Sequence, residues 1–211
     1  MNTDTGEIAA AAYVSNTSVS QITHLVNQLL AHRPKFWPKV VYTDTWPHNR
    51  KYLEKMLGLA ILGRLGLFHF MKRLTDTLNP HCGVYWKALG ELRKSVYRYD
   101  EVDETSLIEK LKNGEFSRSG KNDTSEEIEE LRHSKRWNQR YSAYLRKIVF
   151  PAATMAHRLK TQFFHQFQDA RDDEGKSLFL RDAEKTIDLQ IKNGEYIKDP
   201  PNFEMYRTVP P

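Results

Sequence analysis

The chain has 211 residues, 28% of them charged and 39% in the hydrophobic set, a balance that suits one large globular domain or a domain with an appendage. No apolar run approaches the roughly 20 residues that a membrane helix needs, Met1 to Glu7 carries acids and no Lys or Arg, unlike a secretory leader, and the single cysteine, Cys82, excludes an internal disulfide. The expectation is an intracellular protein, nuclear in a eukaryote, with no membrane partner; the oligomeric state is not legible. The net charge of +5 is weak evidence for a polyanionic partner by itself, and its distribution says more.

Glu7 to Val14 is an apolar run after a turn signal and reads as a buried strand. Ser18 and Gln21 form a capping-box pattern, and Val19, Ile22, Val26, Leu29 and Leu30 then recur at helical spacing to about His32. Lys39 to Thr43 is a second short strand, ending at Asp44, so strand, helix and strand suggest a crossover unit of an α/β layer. His48 to Leu57 is a short amphipathic segment, and Ala60 to Leu65 is a further strand, broken by Gly63.

Beyond this point helices dominate. Leu67, Met71, Leu74 and Leu78 share one helix face, and Tyr85, Ala88, Leu89, Leu92 and Val96 share another. A helix through Leu107, Ile108 and Leu111 closes at Gly114. Thr124 to Glu127 is a second capping box, followed by helices over about 126–133, 137–149 and 152–168. Asp169 to Lys176 is a charged loop, Asp172-Asp173-Glu174 within it reads as a solvated turn, and a last helix over 178–193 closes at Gly194.

Asp44 is the leading candidate for catalysis and metal ligation. A carboxylate at the C-terminal end of a central strand is where α/β folds place metal ligands, and hard oxygen donors suit Mg²⁺ or Mn²⁺. The plainer reading is that Asp44 caps the following helix. His69, where a strand gives way to a helix, is a supporting residue or a packed core histidine. No zinc spacing, Gly-rich phosphate loop or nucleophile elbow is present.

Between Glu130 and Asp169 there is no acidic residue, and that stretch carries Arg132, Lys135, Arg136, Arg140, Arg146, Lys147, Arg158 and Lys160. Trp137, Tyr141, Tyr144 and Phe150 are interleaved with them. Positive charge with aromatic faces is what phosphate contacts and base stacking require. A solvated helix face with its aromatics in the core gives the same pattern, and both readings stand.

The order of Thr5-Gly6-Glu7 opening a strand, a helix, Val40-Val41-Tyr42-Thr43-Asp44, and Gly66-Leu67-Phe68-His69 before a helix resembles the core of DDE-type transposase-like proteins. Their fold is ribonuclease H-like, and Asp44 matches their second metal-binding acid. Leu65 to His69 matches a Leu-Asp-Leu-Phe-His motif, with Gly66 in place of the acid. The tail Ile191 to Tyr206, with Asp199-Pro200-Pro201, resembles the segment before the third acid.

The resemblance implies an α/β, helix-dominated fold: a partial ribonuclease H-like core over 1–80, a helical insertion over 81–195 and an extended Pro-rich tail over 196–211. It implies DNA as partner, Mg or Mn as cofactor and phosphodiester strand transfer as the chemistry of a complete parent. The first acid is expected before Thr5 and the third after Pro211. The chain as given is therefore expected to be an inactive fragment or a decayed relative, because one acid cannot hold two octahedral ions. The alternative is a non-catalytic basic helical module binding nucleic acid or protein.

Overall fold

The computed structural model describes residues 19–32, 40–57, 62–116, 123–132 and 137–199. The strand expected at Glu7 to Val14 and the cap expected at Ser18 lie outside these residues. α1 (Val19–His32) precedes β1 (Val40–Thr43), which pairs in parallel with β2 (Leu62–Leu65) in the register Val40↔Leu62 to Thr43↔Leu65. α2 (Arg50–Leu57) lies on the crossover between them. Gly63 was expected to break this strand; it sits inside β2, opposite Val41, because a large ring on the neighbouring turn occupies the space a side chain would need.

α3 (Leu67–Thr75) follows β2 after Gly66 and buries Leu67, Phe70 and Leu74. Leu78, expected on the same helix face, lies beyond the helix end and bridges to Phe179. α4 (Tyr85–Val96) runs directly into β3 (Tyr97–Tyr99), and Asp100 then caps α5 (Glu101–Lys112) by accepting from Val102 N and Asp103 N at 3.0 and 3.3 Å. α5 closes at Gly114, whose φ of 72° is the left-handed conformation the closing residue needs. The capping box of α6 (Ser125–Arg132) forms as expected: Glu127 N donates to Thr124 Oγ1 at 3.2 Å and Thr124 N to Glu127 Oε2 at 2.7 Å.

The helix expected over 137–149 does not form. A π-helical turn (Trp137–Tyr141) and a 3₁₀ turn (Ser142–Tyr144) lead into β4 (Lys147–Val149), antiparallel to β3 with Tyr99 opposite Lys147 and Tyr97 opposite Val149. Ile148 and Val149 are β-branched and stand opposite Arg98 and Tyr97 across the pair, where such side chains pack well. The spacing of Tyr141 and Leu145, both buried, imitates a helix face.

α7 (Ala152–Arg158), π-helical turns (Leu159–Phe164) and α8 (His165–Phe167) continue one another as expected. The last helix begins later than its apolar pattern predicts: α9 spans Ala183–Asn193, preceded by Asp182 at φ 61°. Leu178 and Phe179 lie on extended chain instead, where Leu178 N donates to Ala170 O and Asn79 N to Leu178 O. Gly194 ends α9 without a left-handed turn (φ −58°); a Cβ there would collide with the Met155 methyl, so its role is close approach.

The fold is thus helix-dominated and mixed α/β, with a two-stranded parallel and a two-stranded antiparallel sheet among the described residues. The larger core joins Leu65, Phe70, Leu74, Leu92, Met155, Leu159, Phe163, Leu178, Ile187 and Ile197, all at 0% exposure, and so draws on both sides of position 80. A smaller core holds Leu107, Leu111, Ile128, Trp137, Tyr141 and Leu145. None of the helices in the described residues is long and apolar enough to cross a membrane.

The Asp172 loop is the expected solvated turn. Asp172 Oδ1 accepts from Lys176 N and Glu174 N at 2.8 and 3.1 Å, and Oδ2 from Gly83 N at 3.4 Å. These backbone donors, that of Lys176 foremost, pull its carboxyl below the ordinary value. A depressed folded value means stability present above the unfolded pKa and lost as pH falls through the folded one. Asp172→Asn is therefore expected to melt below the wild type at neutral pH, and the gap in Tm is expected to close as pH falls below about 4. Thermal melts of both proteins over a pH series check this.

Candidate functional site

β1 and β2 end level, since Thr43 is opposite Leu65. Asp44 and Gly66 therefore leave the same carboxyl edge of a parallel pair, where α/β folds assemble sites. The turn after β1 is tied by its own hydroxyls. Thr43 Oγ1 accepts from Thr45 N at 3.2 Å and lies 3.0 Å from Thr45 Oγ1, which accepts from Asn49 Nδ2 at 2.6 Å. Asp44 itself is exposed.

Trp46 anchors this turn. Its side chain is 3% exposed, and its indole lies so close over Gly63 of β2 that a Cβ at 63 would fall among the ring atoms. On another side it meets Tyr196 edge-on, with ring centroids 6.3 Å apart and planes at 72°. The following Trp46–Pro47 peptide is cis. From α3, Arg73 Nη2 donates to the backbone oxygen of Asp44. Turn, strand and helix thus hold the backbone of Asp44, while its carboxylate has no hydrogen-bond or ion-pair partner among the described residues.

His69 lies in the first turn of α3, exposed, with its ring edge-to-face against Phe68 at 5.3 Å and 83°. It precedes Arg73 by four residues, so the two share a helix face. Gly66 occupies the N-cap of α3 and supplies no side-chain cap. Among the described residues no three His, Cys, Asp or Glu side chains come together to hold a metal ion. A single carboxylate does not fit an octahedral Mg²⁺ or Mn²⁺ site.

The tail, named from its Asp-Pro-Pro pattern, comes to the strands in three dimensions. Arg64 Nε donates to Lys198 O at 3.2 Å, fixing the segment after α9 against β2. Asp199 stands close enough to Tyr42, two residues before Asp44, that its charge adds to burial in pushing the tyrosine up to about 12. The Asp-Pro-Pro signal marked 199 as loop and carried no information about which strand it would meet.

The basic stretch looks different in three dimensions. Arg132 Nη2 and Nε reach Glu104 Oε1 at 2.8 and 3.2 Å and Nη1 reaches Glu129 Oε2 at 3.0 Å, contacts that raise its pKa. Arg146 pairs with Asp199 at 2.9 Å, and Lys160 pairs with Asp188. Arg158 lies over the Phe150 ring at 4.2 Å and donates to Lys94 O at 3.2 Å. Arg140 is exposed, and Lys135 and Arg136 lie outside the described residues. Acids from outside the stretch thus engage Arg132, Arg146 and Lys160. Lys147 differs, as burial and the neighbouring Arg93 lower its pKa.

Two substitutions test this geometry. Gly63→Ala forces the indole off β2 and is expected to destabilise the protein by about 1–3 kcal/mol, read as a lower urea midpoint with the Trp fluorescence altered. Arg132→Gln removes a partly exposed ion-pair network and is expected to cost no more than about 1 kcal/mol, measured in the same denaturation experiment.

Compared with known proteins, the chain matches no family model, and neither the curated proteins nor the solved structures contain a match to it.

Proposed function

We propose that this chain is related to DNA transposition: a fragment or decayed relative of a metal-dependent transposase with a partial ribonuclease H-like layer, in which Asp44 keeps the position of a metal ligand. The observation that carries the reading is the strand edge. Asp44 leaves the carboxyl end of β1 with its backbone held by Trp46 and Arg73 and its carboxylate unpartnered among the described residues. A residue that only caps a helix has its oxygen on a backbone N–H, and no such bond is made here. The return of 196–199 to the β1–β2 pair supports the same reading, because it brings the tail to the strand that bears Asp44.

Mg²⁺ or Mn²⁺ belongs to the complete parent in this proposal, where it would supply activation of the attacking oxygen. Among the described residues no three His, Cys, Asp or Glu side chains gather at Asp44, and no step is assigned to it. DNA is the proposed partner. The second reading, a basic module that binds without catalysis, drew on 132–160, where Arg132, Arg146 and Lys160 are engaged by acids.

The chain as given is expected not to nick supercoiled plasmid DNA with Mg²⁺ or Mn²⁺. Nicking that disappears in Asp44→Ala would overturn the proposed inactivity. The relationship itself is tested by extending the reading frame with its own flanking genomic sequence. Metal-dependent cleavage that is lost in Asp44→Asn is expected, and flanks without a strand-end acid upstream and an acid downstream refute the kinship.

A further inference from the structure

Around Tyr97, α4 and the β3–β4 pair place Arg93 and Lys147 in one neighbourhood, with no acid paired to either among the described residues. Lys147 stands on β4 opposite Tyr99, on the face of the pair that also carries Tyr97, and its Nζ lies 6.0 Å from the centre of the Tyr97 ring. Arg93 lies in the last turn of α4, four residues before Tyr97, whose N–H donates to the Arg93 carbonyl as the helix runs into β3. The Tyr97 and Tyr99 rings are edge-on at 5.9 Å, and burial raises both hydroxyls, so they stay protonated.

The surrounding charges are matched. Lys94 holds Glu91 at 2.9 Å, Arg98 holds Glu101 on the other face of β3, and Glu104, whose charge is felt at Tyr99, is taken by Arg132. Arg146 holds Asp199, and Arg158 is stacked on Phe150. Among the described residues, neither Arg93 nor Lys147 has a carboxylate within ion-pair distance. The C-terminal dipole of α4 favours the positive charge of Arg93. It does nothing for a half-buried lysine on a strand, whose pKa is lowered by burial and by Arg93. A desolvated ammonium beside a guanidinium destabilises the free protein, and an anion bound between them removes that penalty.

We propose that Arg93 and Lys147, flanked by Tyr97 and Tyr99, form a phosphate-binding site for the backbone of DNA. The site rests on the DNA reading of the previous subsection and specifies where the duplex is held. It shares only Lys147 with the basic stretch noted in the sequence, because Arg93 comes from a different helix. A guanidinium gives a planar pair of donors to phosphate oxygens and the ammonium a point charge, a division suited to one phosphodiester.

The test is fluorescence anisotropy with a short labelled DNA duplex at salt concentrations from about 50 to 200 mM. Wild-type affinity is expected to fall steeply with salt. Lys147→Gln and Arg93→Gln are each expected to weaken binding about five- to tenfold and to reduce the salt slope by roughly 1. Arg132→Gln is expected to bind as the wild type does. Each of the two site variants removes one side of a like-charge pair, so its Tm is expected at or above that of the wild type; Arg93→Gln carries the test if Lys147→Gln fails to fold. If the wild type binds and the Arg93→Gln and Lys147→Gln affinities are unchanged, the site is refuted and the DNA reading stands. If the wild type shows no salt-dependent binding, the DNA reading falls and the site with it.

Discussion

The contact between the Trp46 indole and Gly63 sets the geometry on which the candidate site depends. Two parallel strands of four residues are marginal by themselves, and a turn leaving one of them is free to wander unless something pins it. The indole does so by filling the space on the neighbouring strand where that strand has no side chain. Its arrangement also has a cost, since Trp46 Nε1 is buried without a hydrogen-bond partner among the described residues, a loss of about 1–3 kcal/mol. Burial of the large ring and its edge contact with Tyr196 act in the opposite direction. The result is a rigid turn with Asp44 on its outside.

The same contact ties distant parts of the chain together. Tyr196 follows α9, and Ile197 beside it is fully buried in the larger core with Phe70, Leu92 and Phe163. Arg64 and Arg146 then hold the tail through Lys198 and Asp199. The strand edge, the long helix 152–167 and the tail are therefore parts of one packing unit, and Asp199 comes to rest beside the strand that leads to Asp44.

Electrostatics divides the basic residues into two kinds. Those whose side chains meet Glu104, Glu129, Asp188 or Asp199 serve the fold, with modest energies typical of partly exposed pairs. Arg93 and Lys147 oppose it, since they repel each other where burial already disfavours charge. In the proposed phosphate site a bound anion would relieve that repulsion. Charge density along the sequence does not separate these two kinds.

Much of the framework was legible from local pattern. Val40 to Thr43 as a strand, the caps at Thr124 and Gly114, and the faces of α3 and α4 follow from spacing and from the hydrogen-bonding capacity of short polar side chains. These are interactions within a few residues, and sequence alone determines them. The helix expected over 137–149 failed because Tyr141 and Leu145 fit a helical period while Ile148 and Val149 were claimed by a partner strand some fifty residues away. Asp44 could be named as a candidate from its position after an apolar run, but its fixed backbone needed Gly63, Tyr196 and Arg73 to arrive from elsewhere in the chain. Which cations are neutralised and which are left facing each other was likewise settled only by folding, because Coulomb energy depends on distance in space and burial, and neither is encoded in the order of neighbouring residues.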